Sequence, residues 1–236
     1  MSRCRFSSDG KLLAVAGRRG YVHLVDWSAG GAQVVGSLKG NSTVKDIWWS
    51  RENEGELMTL GEDSQIYIWD VRAQRCVKRW KDDGGYGALI MGGDPLGSYV
   101  AVGSVGLFPP QHLKLIVHFR SKSGITNVYN SSAFYSPSPV QPVHLKPLKA
   151  LGNLTTAVSS LTFNHDAQLM VMASSMKKDQ LRLVHLPSCS VFQNWPTSST
   201  PLGRVTAVDF STNSGYLAVG NTRGRVLLYN IRHYSD

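Results

Sequence analysis

A strand pattern repeated five times constrains this chain more than any other feature. The stretch "LAVGNTRGRVLLYN" at 217–230 is a near copy of "LAVAGRRGYVHLVD" at 13–26. Between them lie "LMTLGEDSQIYIWD" (57–70), a split "VAVGS…SKSGITNVYN" (100–130) and "VMASSMKKDQLRLVH" (171–185). Each copy reads as an apolar run, a tight turn and a second strand, and a preceding strand ends at Phe6-Ser7, Trp49-Ser50, Met91-Gly92, Phe163-Asn164 and Phe210-Ser211. Segments such as "IYIW" and "VLLY" have the two-residue period of strands, while runs such as "LAVG" are apolar on both faces, as in sheets covered on both sides. Helical periodicity is nowhere sustained, so the expected class is all-β. Spacings of 43 residues from Phe6 to Trp49 and 47 from Phe163 to Phe210 suit four-stranded propeller blades, none of which can bury its faces alone. The repeat divides the chain into units at 1–37, 38–80, 81–148, 149–200 and 201–236.

"EDSQIYIWDVR" at 62–72 resembles the end of a WD repeat, with a turn aspartate, alternating isoleucines and then Trp69-Asp70. The other endings, Val25-Asp26, Tyr129-Asn130, Val184-His185 and Tyr229-Asn230, are degenerate, and the Gly-His dipeptide that opens many WD repeats is absent. Together with "RFSSDGKLLAVAGRRGYVHL", "SLTFN", "LRLVHLPSCSVF", "DFSTNSGYLAVGN" and "RHYSD", these strings are similar to the U3 small nucleolar RNA-associated protein 18 family, WD-repeat proteins of the small-subunit processome. The resemblance implies a non-enzymatic scaffold of the nucleolus that supports pre-rRNA processing in ribosome biogenesis. Its implied partners are processome proteins and pre-rRNA or small nucleolar RNA, with no membrane and no small-molecule substrate.

The resemblance also implies a seven-bladed propeller behind a long charged N-terminal region. At roughly 43 residues per blade, 236 residues hold about five, and the fifth unit ends after its third strand. The chain therefore reads as an N-terminally truncated, incomplete WD-repeat propeller, with a closed ring of five blades as the alternative. An open ring would expose apolar faces on the first and fifth units, which implies poor solubility for the chain alone.

The third repeat is interrupted. Gly103 and Gly124 stand 21 residues apart where the matching Gly220 and Gly224 stand four apart. The surplus, near 105–121 and roughly "VGLFPPQHLKLIVHFRS", reads as a translated intron or, alternatively, as a loop whose "LKLIVHF" adds a strand.

Signatures of chemistry are missing. There is no phosphate-binding Gly-x-x-x-x-Gly-Lys-Ser/Thr loop, no dinucleotide fingerprint, no His-Glu-x-x-His and no Gly-x-Ser-x-Gly elbow. The seven histidines stand singly, and Cys4, Cys76 and Cys189 are far apart and read as small buried apolar residues. The expectation is a binding protein with no catalytic residue, metal or cofactor. A net charge of +9 and a pI near 9.6 favour polyanionic partners.

The turn between the second and third strands of each unit locates that charge. WD repeats usually carry aspartate there, as at Asp63, but the matching positions are Arg19, Ser123, Lys178 and Arg223, with Arg18, Lys122 and Lys177 beside them. In a propeller these turns open on one face, so Arg18, Arg19, Lys122, Lys177, Lys178 and Arg223 form a candidate RNA- or protein-interaction face. The run "RAQRCVKRWK" at 72–81 reads instead as cations that blunt an exposed sheet edge. Trp69, Asp70 and Arg72 carry a second reading. Trp-Asp-x-Arg resembles the motif by which some WD-repeat substrate receptors dock on the adaptor of a cullin-RING ubiquitin ligase.

Overall fold

A computed structural model describes residues 3–28, 31–51, 53–82, 87–106, 123–135 and 143–234. They form five meandering sheets. Sheet 1 holds β1 (Cys4–Phe6), β2 (Leu12–Ala16), β3 (Tyr21–Asp26) and β4 (Gln33–Lys39); sheet 2 holds β5 (Val44–Trp49), β6 (Glu56–Gly61), β7 (Gln65–Asp70) and β8 (Arg75–Asp82). Sheet 3 begins with β9 (Ala88–Gly93), β10 (Tyr99–Gly106) and β11 (Ser123–Asn130). The short helix α1 (Ser132–Tyr135) and β12 (Val143–Leu145) follow before β13 (Lys149–Leu154) completes that sheet. Sheet 4 is β14 (Ser160–Phe163), β15 (Leu169–Ala173), β16 (Leu181–His185) and β17 (Ser190–Val191); sheet 5 is β18 (Val205–Phe210), β19 (Tyr216–Asn221) and β20 (Val226–Asn230).

The first strands β1, β5, β9, β14 and β18 lie side by side in that order, and apolar cores fill the gaps between successive sheets. Trp49, Tyr67 and Trp69 of sheet 2 pack on Ala14, Val22 and Leu24 of sheet 1. Sheets 2 and 3 join through Met58, Ile68, Met91 and Tyr129, sheets 3 and 4 through Ile90, Val128, Phe163 and Met170, and sheets 4 and 5 through Val171, Leu181, Leu217 and Val219. Among the described residues no buried cluster joins sheet 5 to sheet 1. The fold is thus an all-β, incomplete WD-repeat propeller, and the closed ring of five blades is not formed.

Indole rings carry much of this stacking because their N–H groups are satisfied while the rings are buried. Trp69 donates to Thr59 Oγ1 at 2.9 Å, and Trp49 to the Arg5 carbonyl at 2.9 Å. Corners between first and second strands repeat one device, in which a side chain accepts the backbone N–H five residues on. Ser7, Asp94, Asn164 and Ser211 do so from Leu12, Tyr99, Leu169 and Tyr216. The third corner is therefore Asp94, and its strand ends at Gly93, two residues beyond the Met91-Gly92 that the repeat suggests. Two closing glycines carry no side chain to announce the strand.

Three further expectations change. Gly103 pairs with Thr126 and Gly106 with Ser123, so Ser123 begins a strand rather than occupying a turn. Of the surplus segment, Val105 and Gly106 extend β10, and 107–122 lies outside the described residues. The basic run on β8 does not guard an open edge. β12 pairs with β8 in parallel, setting Val143, His144 and Leu145 opposite Trp80, Lys81 and Asp82. α1 fastens the same edge, with Phe134 buried and its carbonyl accepting Trp80 Nε1 at 3.2 Å. Finally, Cys4 and Cys76 are exposed and Cys189 half-buried; Cys4 shares the face of Phe6 that no neighbouring sheet covers.

The closing "RHY" latches sheet 5 to sheet 4. Tyr234 donates its hydroxyl to Asp166 Oδ2 at 2.7 Å and accepts from Asn164 Nδ2 at 3.0 Å. Burial, together with donation to the Asp166 carboxylate, pushes the Tyr234 phenol up to about 12.

Candidate functional site

The second-to-third-strand turns share a local design. A left-handed residue stands one or two positions before the third strand in each described turn: Gly20, Ser64, Asp179 and Gly224 have φ of +81°, +59°, +58° and +71°. This conformation tightens the turn, and the residue before it is Arg19, Asp63, Lys178 or Arg223, of which the three cations are exposed. The turns of sheets 1, 2 and 4 also meet the link to the following sheet. The Gly20 backbone lies against the Gly40 and Ser42 carbonyls, while Asp179 and Gly203 exchange two hydrogen bonds of 2.8 Å. These turns and links therefore form one end of the stack.

Arg18, Arg19, Lys177, Lys178 and Arg223 all reach solvent at that end, and Lys122 lies outside the described residues. The turns spare cations for the surface because other groups cap them. In sheet 2, Asp63 caps its own turn, accepting from Gln65 N–H at 3.2 Å and from the Tyr67 hydroxyl at 2.8 Å. In sheet 5 the cap moves to Asn221, whose Oδ1 accepts from the N–H groups of Arg223 and Arg225, leaving the outward position to arginine. Lys39 adds charge beside Arg19 by donating to its carbonyl, with Nζ 4.1 Å from the centre of the Tyr21 ring. The arc is broken at sheet 2, where Glu62 pairs with Lys45 at 2.8 Å; that hydrogen bond holds the Glu62 carboxyl below its ordinary range.

The opposite end is acidic. Asp9, Asp26, Asp70, Asp94 and Asp166 lie at its corners, and each accepts backbone N–H groups of its own turn. Hydrogen bonds from Ser7 and Ser28 lower the Asp9 and Asp26 carboxyls. At Asp166 burial pushes upward, but donation from Tyr234, Gln168 and Asn164 outweighs it and the net shift is downward. Cations stand at that end too, among them Lys11, 3.6 Å from Asp9, and the exposed Arg72, so the contrast between the two ends lies in the turn residues.

The first strands contribute a feature that the sequence hides. At the acidic end a cleft of about 300 Å³ is lined by Arg5, Trp48, Gly92, Thr162 and Asp209, which lie on the five first strands. All five precede their corner residue by two positions. The Arg5 guanidinium lies 4.7 Å from the centre of the Trp48 ring, and a side chain at Gly93 would strike that indole at 2.6 Å. Equivalent positions occupied by Arg, Trp, Gly, Thr and Asp carry no compositional signal, so only the superposition of strands finds them.

On the cationic side, Asp46 is buried at the start of β5. It accepts from Met91 N–H at 3.0 Å and lies 3.8 Å from Arg3 Nε. Burial raises its pKa despite those partners. The fold therefore favours the protonated carboxyl, and this stabilisation is complete below the unfolded pKa of about 4 and is lost as pH rises through the raised folded value. Asp46→Asn should equal or exceed the parent in stability at neutral pH and fall behind it at acid pH. Urea titrations at both values check this; a difference unchanged with pH would contradict it.

Of the docking-motif residues, Trp69 is buried, and Asp70 accepts from the N–H groups of Arg72 and Ala73 at 3.0 Å each. Only Arg72 is exposed, on the end away from the cationic arc. Among the described residues no cluster of three or more His, Cys, Asp or Glu is placed to hold a metal.

No protein-family model matches the chain. It is 36% identical over 231 residues to the U3 small nucleolar RNA-associated protein 18 homolog of Mus musculus, covering 98% of this chain and 37% of that protein. Similarity to the Saccharomyces cerevisiae U3 small nucleolar RNA-associated protein 18 is 36% over 235 residues, covering 94% and 37%. The Arabidopsis thaliana homolog is 33% identical over 230 residues, covering 98% and 37%. The chain spans little more than a third of the length of these curated relatives, and no relative supports the ubiquitin-ligase reading. Over nearly all of its length, the chain is similar to members of the U3 small nucleolar RNA-associated protein 18 family.

Proposed function

We propose that this chain is a non-enzymatic scaffold of nucleolar ribosome biogenesis that, as part of the small-subunit processome, supports pre-rRNA processing and uses its cationic end to engage RNA. The relatives' names supply the U3 small nucleolar RNA context. The exposed cations of the turns support the mode, since Arg18, Arg19, Lys178 and Arg223 lie at equivalent places of the repeat, on the end opposite the corner carboxylates. Processome proteins are the partners left for the sheet edges and the acidic end.

Neutralising a single-stranded phosphate releases counterions and contributes about 0.7 to the slope of log affinity against log salt. Reversing all four cations to glutamate should weaken binding to U3 or pre-rRNA fragments and lower that slope by about 3, at equal stability. Filter binding across a salt series reads both quantities. An unchanged slope would refute RNA contact at this face and leave acidic protein segments as its ligand.

A further inference from the structure

The outer wall of sheet 4 stops short. Its fourth strand, β17, has two residues, where β4, β8 and β13 have seven, eight and six. Val191 pairs with Val184 and Phe192 still donates its N–H to the Leu183 carbonyl at 2.9 Å, but the chain then bends away at 193–196 instead of setting Gln193 opposite Arg182. A cleft of about 260 Å³ opens there between sheets 3 and 4, lined by Asn153, Arg182, Val191, Phe192, Gln193 and Pro196. It lies between two sheets that share a buried core.

Two amides and a guanidinium line the cleft beside an aromatic ring and a proline, and no carboxylate is among them. Much of their hydrogen-bonding capacity is unused. Arg182 donates Nη1 to the Leu181 carbonyl at 2.8 Å, but among the described residues it pairs with no carboxylate, and the side chains of Asn153 and Gln193 make no hydrogen bond. Phe192 is held edge-on to His185, with ring centroids 6.4 Å apart. The cleft also adjoins the cationic end. Asn153 stands two residues before Thr155, whose N–H and hydroxyl donate to Gln180 Oε1 at 3.3 and 3.0 Å, and Gln180 ends the turn that carries Lys177 and Lys178. Arg182 follows Lys178 by four residues, at most about 14 Å of extended chain.

We propose that this cleft holds one unpaired base of a single-stranded RNA whose phosphates meet Lys177 and Lys178. The inference rests on the reading of the cationic end as an RNA-binding face and adds to it a contact with the base. Unpaired bases are recognised by stacking and by hydrogen bonds to their edges from arginine and from amides, which both donate and accept. Phe192 and Pro196 supply the stacking surface, and Arg182, Asn153 and Gln193 the edge contacts. The volume is just under the roughly 300 Å³ at which pockets for drug-sized molecules begin, which suits a single base. An acidic peptide would match the charge of Arg182, but its carboxylates offer Phe192 no flat surface to stack on.

The full chain is titrated with a single-stranded RNA and with an abasic strand of equal length. Asn153→Ala with Gln193→Ala removes two exposed amides, so its thermal melt should match the parent. This variant and Phe192→Ala should each weaken RNA binding, the second by about 5- to 150-fold, and leave binding of the abasic strand unchanged. The slope of log affinity against log salt should also stay, because a base carries no phosphate charge. Ultraviolet crosslinking of the parent should attach a base to Phe192. If reversal of the four turn cations lowers the slope while these variants bind RNA as the parent does, the base contact is refuted and the cationic face stands. If the reversal leaves the slope unchanged, both fall. Equal losses for RNA and the abasic strand, crosslinks that spare Phe192, or loss of binding to a glutamate-rich peptide in place of RNA would each overturn the proposal.

Discussion

Leu24→Ala is expected to lower the unfolding free energy by about 2–5 kcal/mol, and Leu228→Ala, at the same place in the repeat, by less than about 0.5 kcal/mol. Leu24 sits in the core between sheets 1 and 2, where truncation removes buried methyl groups and leaves a cavity that the indoles of Trp49 and Trp69 cannot fill without moving. Leu228 projects from the uncovered face of sheet 5, where solvent already reaches it. Equilibrium urea unfolding at a concentration that keeps the chain monomeric measures both. Equal losses would mean that sheet 5 is covered and the stack closed.

Gly20→Ala and Gly224→Ala form a second pair. Both glycines are left-handed, so a side chain costs about 1–2 kcal/mol in backbone conformation at either position. At Gly224 nothing lies within 4 Å of an added Cβ. At Gly20 it would stand 2.5 Å from the Ser42 carbonyl oxygen and 2.7 Å from that of Gly40. These are backbone atoms of the link to sheet 2, so relief requires separating the turn from the link. Overpacking adds about 1–3 kcal/mol, for a total of about 2–5 kcal/mol at Gly20. The same unfolding titrations distinguish the two, and similar losses at both glycines would show that the turn does not lock the link.

The repeat made the sheets legible because alternation and apolar runs are local properties, and the cationic turns followed from placing Arg19, Lys178 and Arg223 at one position of the unit. What the sequence concealed depends on neighbours. Val22 and Val226 are the same residue in the same strand, yet whether one is covered depends on the presence of a sheet beside it. Cys4 is exposed for that reason. β12 comes from a short stretch between prolines at 142 and 147, too brief for a periodic signal, and is a strand only because β8 offers it an edge. The cleft at the acidic end is invisible for a third reason, since its five equivalent positions share geometry and no chemistry.

The terminal latch and the corner caps explain how a stack with two uncovered ends holds its shape. Side chains such as Asn164, Asp166 and Tyr234 bind corners across adjacent sheets, so that the fifth sheet is held by hydrogen bonds as well as by its core with sheet 4. What this order leaves outward is the cations at one end and the apolar faces at the two sides.

Hydroxyl-radical footprinting of the dilute monomer, read by peptide mass spectrometry, tests most directly whether five sheets share only four interfaces. Rapid oxidation of Phe6, Val226 and Leu228 beside protection of Val22, Leu24 and Leu217 is the expected result. Protection of all six alike would contradict it, because only a covered sheet 5 and a covered sheet 1 could shield them.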